Sequence, residues 1–180
     1  MRSILPEHSN PVLREKAHEI PLSDIKSHHM KALISDMKGL LAKEEYGVAL
    51  AAPQIGESVR LFIVSGRALA RDSRNAPDEP DKKEEAAALP DQVYINPEMT
   101  KLSRGRKLKH EGCLSIRGKW GEVPRAEKAT VRAYDEHGMK FTRGASGFLA
   151  HVFQHEMDHL EGILYIDKAK KVYDEPDERE

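Results

Sequence analysis

Cysteine is reduced to one residue, and long apolar runs and any large surplus of one charge are lacking, in this chain of 180 residues. With Cys113 as its one cysteine, no disulfide can form within the chain, and a single reduced thiol suits a reducing compartment. Lys and Arg number 29 against 30 Asp and Glu, which argues against a nucleic-acid footprint, so no direct nucleic-acid site is expected. No apolar stretch is long enough to span a bilayer, and the opening from Met1 to His8 lacks the apolar core of a secretory signal. These absences predict a cytoplasmic protein with no membrane contact. There is no internal repeat either. What is present is a hydrophobic content of 39%, enough for one cored domain over residues 1–180.

Coarse patterning gives the organisation. Ser23 is a candidate cap for a helix running to about Tyr46, with Ile25, Met30, Leu33, Met37, Leu40 and Leu41 as its apolar stripe and Gly47 as its stop. Strands are expected at Val59 to Ser65, Gln92 to Ile95, Thr130 to Tyr134 and Met139 to Thr142, the last two joined by a turn at Glu136-His137-Gly138. Residues 66–91 are charged, rich in Ala and Pro and weakly periodic, which predicts an inserted surface loop, with a helical turn at Glu84 to Ala88. Residues 168–180 read as a flexible charged tail. The fold class expected is α+β, antiparallel sheets packed around a central C-terminal helix, with a further helix near the N-terminus.

That C-terminal helix carries the most informative segment, Gln154-His155-Glu156-Met157-Asp158-His159. It contains H-E-x-x-H. Two histidines four residues apart on a helix stack on one face, where both imidazoles can meet one divalent metal. Glu156 between them can handle a proton on an attacking water. Wound at about 100° per residue, the segment from Ser146 to Glu161 puts Phe148, Val152, Phe153, Met157 and Leu160 on one arc and Gln154, Asp158 and Glu161 opposite. His155 and His159 fall at the edge of the apolar arc, and His151, one turn earlier, is a competing ligand. Gly162 offers the helix stop.

Catalytic metal sites usually supply three protein ligands. A third histidine six residues beyond the second is absent, because that residue is Tyr165. The downstream glutamates Glu175, Glu178 and Glu180 lie in the acidic tail. The better candidate is Cys113, in Glu111-Gly112-Cys113-Leu114-Ser115, where Gly112 permits unusual backbone angles. Its thiolate would complete a Cys/His/His set.

Together, Gly47-Val48-Ala49-Leu50-Ala51-Ala52-Pro53-Gln54, Glu111-Gly112-Cys113-Leu114-Ser115 and Gln154 to His159 resemble the three motifs of the peptide deformylase family, in order. Asn10 to Arg14, Tyr94 to Pro97 and Val123 to Ala126 extend the likeness to nearly the whole chain. The resemblance implies removal of formate from the N-formylmethionine of new polypeptides. It implies Fe(2+) as the usual native metal, with Zn(2+), Ni(2+) or Co(2+) also able to occupy such ligands. Cys113, His155 and His159 become the ligands and Glu156 the general base and acid. Gln54 and the backbone N–H of Leu114 become the oxyanion donors. Gly47, Val48, Ala49, Gly112 and His151 become substrate-binding, and Glu111 with Arg125 an ion pair that orders the metal loop. The partners implied are nascent polypeptides and, transiently, the ribosome, although the tail is shorter than the basic C-terminal helix that some deformylases use there.

The chain departs from the family's pattern in places. Ala49 stands where the family commonly has a second glycine, Arg117 where many members have proline, and Trp120 where arginine or tyrosine is frequent. His151 faces the substrate pocket by analogy, where an apolar residue is common. These departures touch specificity and keep two other readings open. One is a related metal-dependent amidase or peptidase with an altered pocket; the other is a catalytically silent module that captures N-termini.

Overall fold

The computed structural model describes residues 2–73 and 89–174. In chain order its elements are α1 (His28–Lys43), β1 (Ala49–Ala51), β2 (Leu61–Val64), α2 (Gly66–Ser73), β3 (Gln92–Leu102), β4 (Arg106–Cys113), β5 (Ile116–Ala126), β6 (Lys128–Tyr134), β7 (Lys140–Ser146), α3 (Gly147–Leu160), α4 (Tyr165–Lys168) and β8 (Lys171–Asp174). Two antiparallel sheets result. One has the order β1-β2-β3-β6-β7, the other β4-β5-β8. The architecture is α+β, with the H-E-x-x-H helix packed into the sheets.

Alternation along the first strands explains the layering. Ala49, Ala51, Phe62, Val64 and Tyr94 turn to one side and pack with Leu149, Ala150 and Phe153 of α3. Leu50, Leu61, Ile63, Val93 and Ile95 turn to the other and pack with Met30, Leu33, Met37 and Leu41 of α1. With both faces covered, β2 is an uninterrupted apolar run, Leu61-Phe62-Ile63-Val64, each residue 0% exposed. Phe62 and Tyr94 stack with centroids 4.5 Å apart, and Phe153 meets Tyr94 edge-on at 5.3 Å. This aromatic cluster seats α3 on the sheet.

Several local expectations change. Helix α1 is capped by Ser27, whose Oγ accepts from the Met30 N–H at 3.2 Å, and it ends at Lys43. Ser23 lies instead in a short 3-10 turn, Leu22–Asp24, and Ile25 is buried outside the helix. The 66–91 segment opens with a helix where a loop was expected. Ser65 Oγ accepts from Ala68 N–H at 3.3 Å and Asp91 Oδ1 from Gly66 N–H at 2.9 Å, while Ala68, Leu69 and Ala70 are buried. Only glycine fits at Gly66, since a Cβ would meet the Leu89 carbonyl oxygen at 1.7 Å. The turn expected at 84–88 lies outside the described residues. Part of the expected tail is strand β8, paired to β5 through Lys119 to Glu122. Helix α3 stops where Gly162 takes φ 72°, close against the Arg14 carbonyl.

Phe153→Ala should cost about 3–5 kcal/mol of stability, because it opens a cavity between α3 and the sheet. Denaturant unfolding measures this, and a loss below about 1 kcal/mol would show that the cluster does not hold the helix.

Candidate active site

The two sheets bring distant segments together at α3. Strands β4 and β5 form a tight hairpin in which Cys113 pairs with Ile116 across a two-residue turn, Leu114-Ser115. That turn sets Cys113 Sγ 3.3 Å from His159 Nε2. One ligand atom each from Cys113, His155 and His159 lies within 4.8 Å of the others. The His155 and His159 rings meet edge-on, 4.9 Å between centroids. His151 is not part of this group, although it is on the same helix.

The donor set fits a metal on geometry. An ion with bonds of about 2.0–2.3 Å in tetrahedral arrangement separates its ligand atoms by roughly 3.5 Å. The chemistry fits too. His155 Nδ1 is 3.0 Å from Glu111 Oε2, which can take the Nδ1–H and leave Nε2 for an ion. Burial lowers this imidazole, but the bonds to Cys113 and Glu111 outweigh it and raise it above the usual range, so an ion bound there displaces a proton. His159 is 1% exposed, and burial holds its imidazole well below the usual range, leaving it neutral at pH 7 as a ligand must be.

Behind Cys113, His155 and His159 runs a charged chain of contacts. Arg125 grips Glu111 with two bonds, Nε to Oε1 at 2.6 Å and Nη2 to Oε2 at 2.8 Å. Its third nitrogen reaches Asp158 on α3 at 2.6 Å, and Lys168 also holds Asp158 at 2.6 Å. Burial alone would raise the Glu111 pKa. The bonds from Arg125 and His155, with their charges, overcome that and bring it to about 2. Glu111 is therefore an anion clamped between the β-hairpin and the helix.

Two further groups adjoin these three side chains. Glu156 is 4% exposed, its Oε2 has no partner among the described residues, and burial raises its carboxyl to about 7. Gln54 is 2% exposed and sits in a 3-10 turn, Ala52–Ile55, directly after β1. Its Oε1 accepts from the Ala51 N–H at 2.8 Å, which fixes the amide orientation. The Nε2 group then points to Cys113 Sγ and Ser115 Oγ, 3.5 Å from each. A donor, not an acceptor, is offered to the site.

All of this opens on a cavity of about 780 Å³. Gly47, Val48, Ala49 and Gln54 border it on one side, and Glu111, Gly112, Cys113 and Leu114 on another. His151, His155 and Glu156 of α3 form its floor. His159 and Arg125 do not border it; they stand behind the groups that do. Gly112 has no positive φ, contrary to the expectation of unusual backbone angles. Its missing Cβ makes room for the Trp120 ring, which an added carbon would meet at 3.4 Å.

Sequence reasoning missed Asp158 and Gln154. Both fall opposite the apolar arc, yet Gln154 is 6% exposed, accepting from the Ala126 N–H and donating to the Ala126 carbonyl at 2.9 Å each. The amphipathic pattern was blind to it because the second sheet covers that face. A buried Gln one residue before the first histidine has no local signal of its own.

A thiol and two imidazoles around an ion-sized gap, beside an enclosed carboxyl and an oriented amide donor, define a metal-dependent hydrolase. Comparison with known proteins gives the family. The model of the polypeptide deformylase family matches residues 1–175. The peptide deformylase of Desulforudis audaxviator is 35% identical over 167 residues, covering 93% of each chain. That of Dehalococcoides mccartyi is 40% identical over 163 residues, 91% of this chain and 81% of the relative. A class I type b peptide deformylase from Acinetobacter baumannii, solved with Met-Ala-Ser bound, superposes with a TM-score of 0.75 at 27% identity, covering 93% of this chain and 98% of that one. The chain belongs to the polypeptide deformylase family.

Arg125→Ala should remove about 3–5 kcal/mol of stability near pH 7, because it strands the buried Glu111 carboxylate. Glu111 has a depressed folded pKa, so the pair stabilises fully above the ordinary value of 4.5 and fades as pH falls toward about 2. The gap between wild type and variant, followed by urea unfolding, should therefore narrow below pH 4.5. A gap independent of pH would mean that Arg125 acts through packing alone.

Proposed function

We propose that this protein removes the formyl group from the N-formylmethionine of newly made polypeptides, with Cys113, His155 and His159 as metal ligands and Glu156 as the proton carrier. One observation carries the assignment of roles. The thiol of the β4-β5 turn lies 3.3 Å from an imidazole of α3, beside a carboxyl that burial has tuned to about 7. Family membership supplies the reaction and the substrate class.

A divalent cation held by Cys113, His155 and His159 would supply Lewis acidity and would lower the pKa of a water to about 7. The chain's own groups do the rest. Glu156, whose carboxyl burial holds above the usual carboxylate range, takes the proton of the attacking water and passes it to the departing amine. The Gln54 carboxamide N–H and the Leu114 backbone N–H donate to the oxygen on which negative charge grows. The Ala51 N–H keeps Gln54 in that orientation.

The peptide has a docking edge. Strand β1 is at the margin of its sheet, and Gly47, Val48 and Ala49 border the cavity. An extended substrate adds there as one more strand, and the Met-Ala-Ser bound by the Acinetobacter relative is a peptide of the right kind. Gly112 forms the facing wall. The first side chain of the substrate turns to the floor lined by Phe148, His151 and Val152. Glu111 and Arg125 act from behind, holding the His155 ring in place. Work on nascent chains belongs in the cytoplasm, with transient ribosome contact, and among the described residues no helix is long and apolar enough to cross a membrane.

Glu156→Gln should lower formate release by about 100-fold or more while retaining a full complement of metal, since it removes a proton carrier and no ligand. Elemental analysis beside a formate assay on a formylated tripeptide checks this. Metal lost together with activity would make Glu156 structural.

For the native ion we favour Fe(2+), as the family implies, over Zn(2+), Ni(2+) or Co(2+), all of which suit a thiolate with two imidazoles. Protein purified without oxygen should then contain iron and lose activity to peroxide, while protein reloaded with nickel resists. Equal survival of both forms would speak against iron with a thiolate ligand.

A further inference from the structure

The cavity floor contains a polar group that the reaction does not use. His151 lies one helical turn before His155, so both rings project from the same side of α3, and His151 borders the cavity but is not among the clustered ligands. Val48, Ala49, Phe148 and Val152 supply apolar lining to the same cavity, the Arg71 guanidinium closes over the Phe148 ring at 4.4 Å, and the charges of Glu111, Lys109 and Arg125 act on His151 from further off. His151 is 9% exposed, and its Nε2 is enclosed without any partner among the described residues. A buried nitrogen left unpaired is unfavourable and is seldom retained without a role. Burial pushes this imidazole down to about 4, so the ring is neutral at neutral pH and offers one N–H and one lone pair. His151 borders the cavity, and the χ2 of a histidine is a broad torsion, so rotation of the ring is the route by which its N–H reaches an occupant.

We propose that His151 is a specificity-determining residue that hydrogen-bonds the first side chain of the substrate, and that the enzyme consequently deformylates N-formylmethionine sulfoxide as well as N-formylmethionine. This rests on the deformylase reading above. The scissile amide nitrogen belongs to the first residue, so that residue's side chain leaves the ligand cluster within a few bonds and runs along the floor. A thioether sulfur is a weak acceptor for an N–H, a hydrocarbon chain is none, and a sulfoxide oxygen is a strong one. Oxidised methionine is polar, and a wholly apolar floor would reject it by leaving its oxygen unpaired. With His151 in the wall, the oxygen has a donor.

The test compares kcat/KM for formylated tripeptides that differ only in the first residue: methionine, norleucine (sulfur replaced by CH2) and methionine sulfoxide. Wild type, His151→Leu and His151→Gln are assayed with the same metal loaded and their thermal midpoints recorded. Wild type should favour methionine over norleucine by about tenfold and process the sulfoxide within about tenfold of methionine. In His151→Leu the methionine and norleucine values should converge, and the sulfoxide should fall by about 100-fold relative to methionine. His151→Gln, which keeps an N–H of similar reach, should recover part of the sulfoxide rate. A sulfoxide-to-methionine ratio unchanged between wild type and His151→Leu would overturn the proposal. So would rejection of the sulfoxide by wild type beyond about 100-fold, whatever the variants do. No formate from any of the three peptides would defeat instead the deformylase reading on which the proposal rests.

Discussion

Glu111 is the hinge of the whole arrangement. Its carboxylate meets Arg125 of the neighbouring strand β5 and the ring of His155 on α3, so one buried anion joins the hairpin to the helix. Cys113, two residues further along the same strand, is thereby set beside His159. Without that clamp, two segments some forty residues apart in sequence would have no polar reason to keep a thiol and an imidazole at 3.3 Å. Arg125 also reaches Asp158, three residues beyond His155, so the guanidinium spans strand and helix directly. A buried ion network of this kind contributes little net stability, but breaking it is costly, and the cost enforces one geometry.

The same burial that makes the clamp necessary gives the site its reactivity. Glu156 and Glu111 are both enclosed carboxyls whose charges act on His155, yet their environments push them in opposite directions. Glu111, bonded by Arg125, stays an anion down to about 2, whereas Glu156, with an unpartnered oxygen, rises to about 7. One is suited to hold charge and the other to exchange a proton near neutral pH. The fold achieves this by covering α3 almost all round, with the five-stranded sheet on one side and the β4-β5 hairpin on another.

Much of the site was legible because its signals are local. The H-E-x-x-H spacing needs only a helix to converge, and the glycine that ends that helix stands where the motif leads one to look. A continuous apolar run likewise marks β2 and alternation marks β6 and β7, and the Glu136-His137-Gly138 turn has the glycine at φ 77° that it requires. Features that depend on distant partners were not legible. Strand β4 begins Arg106-Lys107-Leu108-Lys109, largely exposed and without alternation, and is a strand because β5 pairs with it. Gln154 and Asp158 read as a wet helix face until the second sheet and Arg125 cover them. Ser23 and Ser27 both precede apolar helical residues, and the choice between them falls to the 3-10 turn at Leu22–Asp24, which the pattern does not reveal. Helix α2 was hidden by the charged composition of the segment that follows it, although Ser65 and the small residues Ala68 and Ala70 are ordinary helix-start signals.

X-ray absorption at the edge of the bound metal tests the central claim most directly. On anaerobically purified protein the account predicts one sulfur scatterer at about 2.3 Å with two imidazole nitrogens near 2.0–2.1 Å, the sulfur vanishing in Cys113→Ala. A first shell of nitrogen and oxygen alone, unaltered by that substitution, would contradict it.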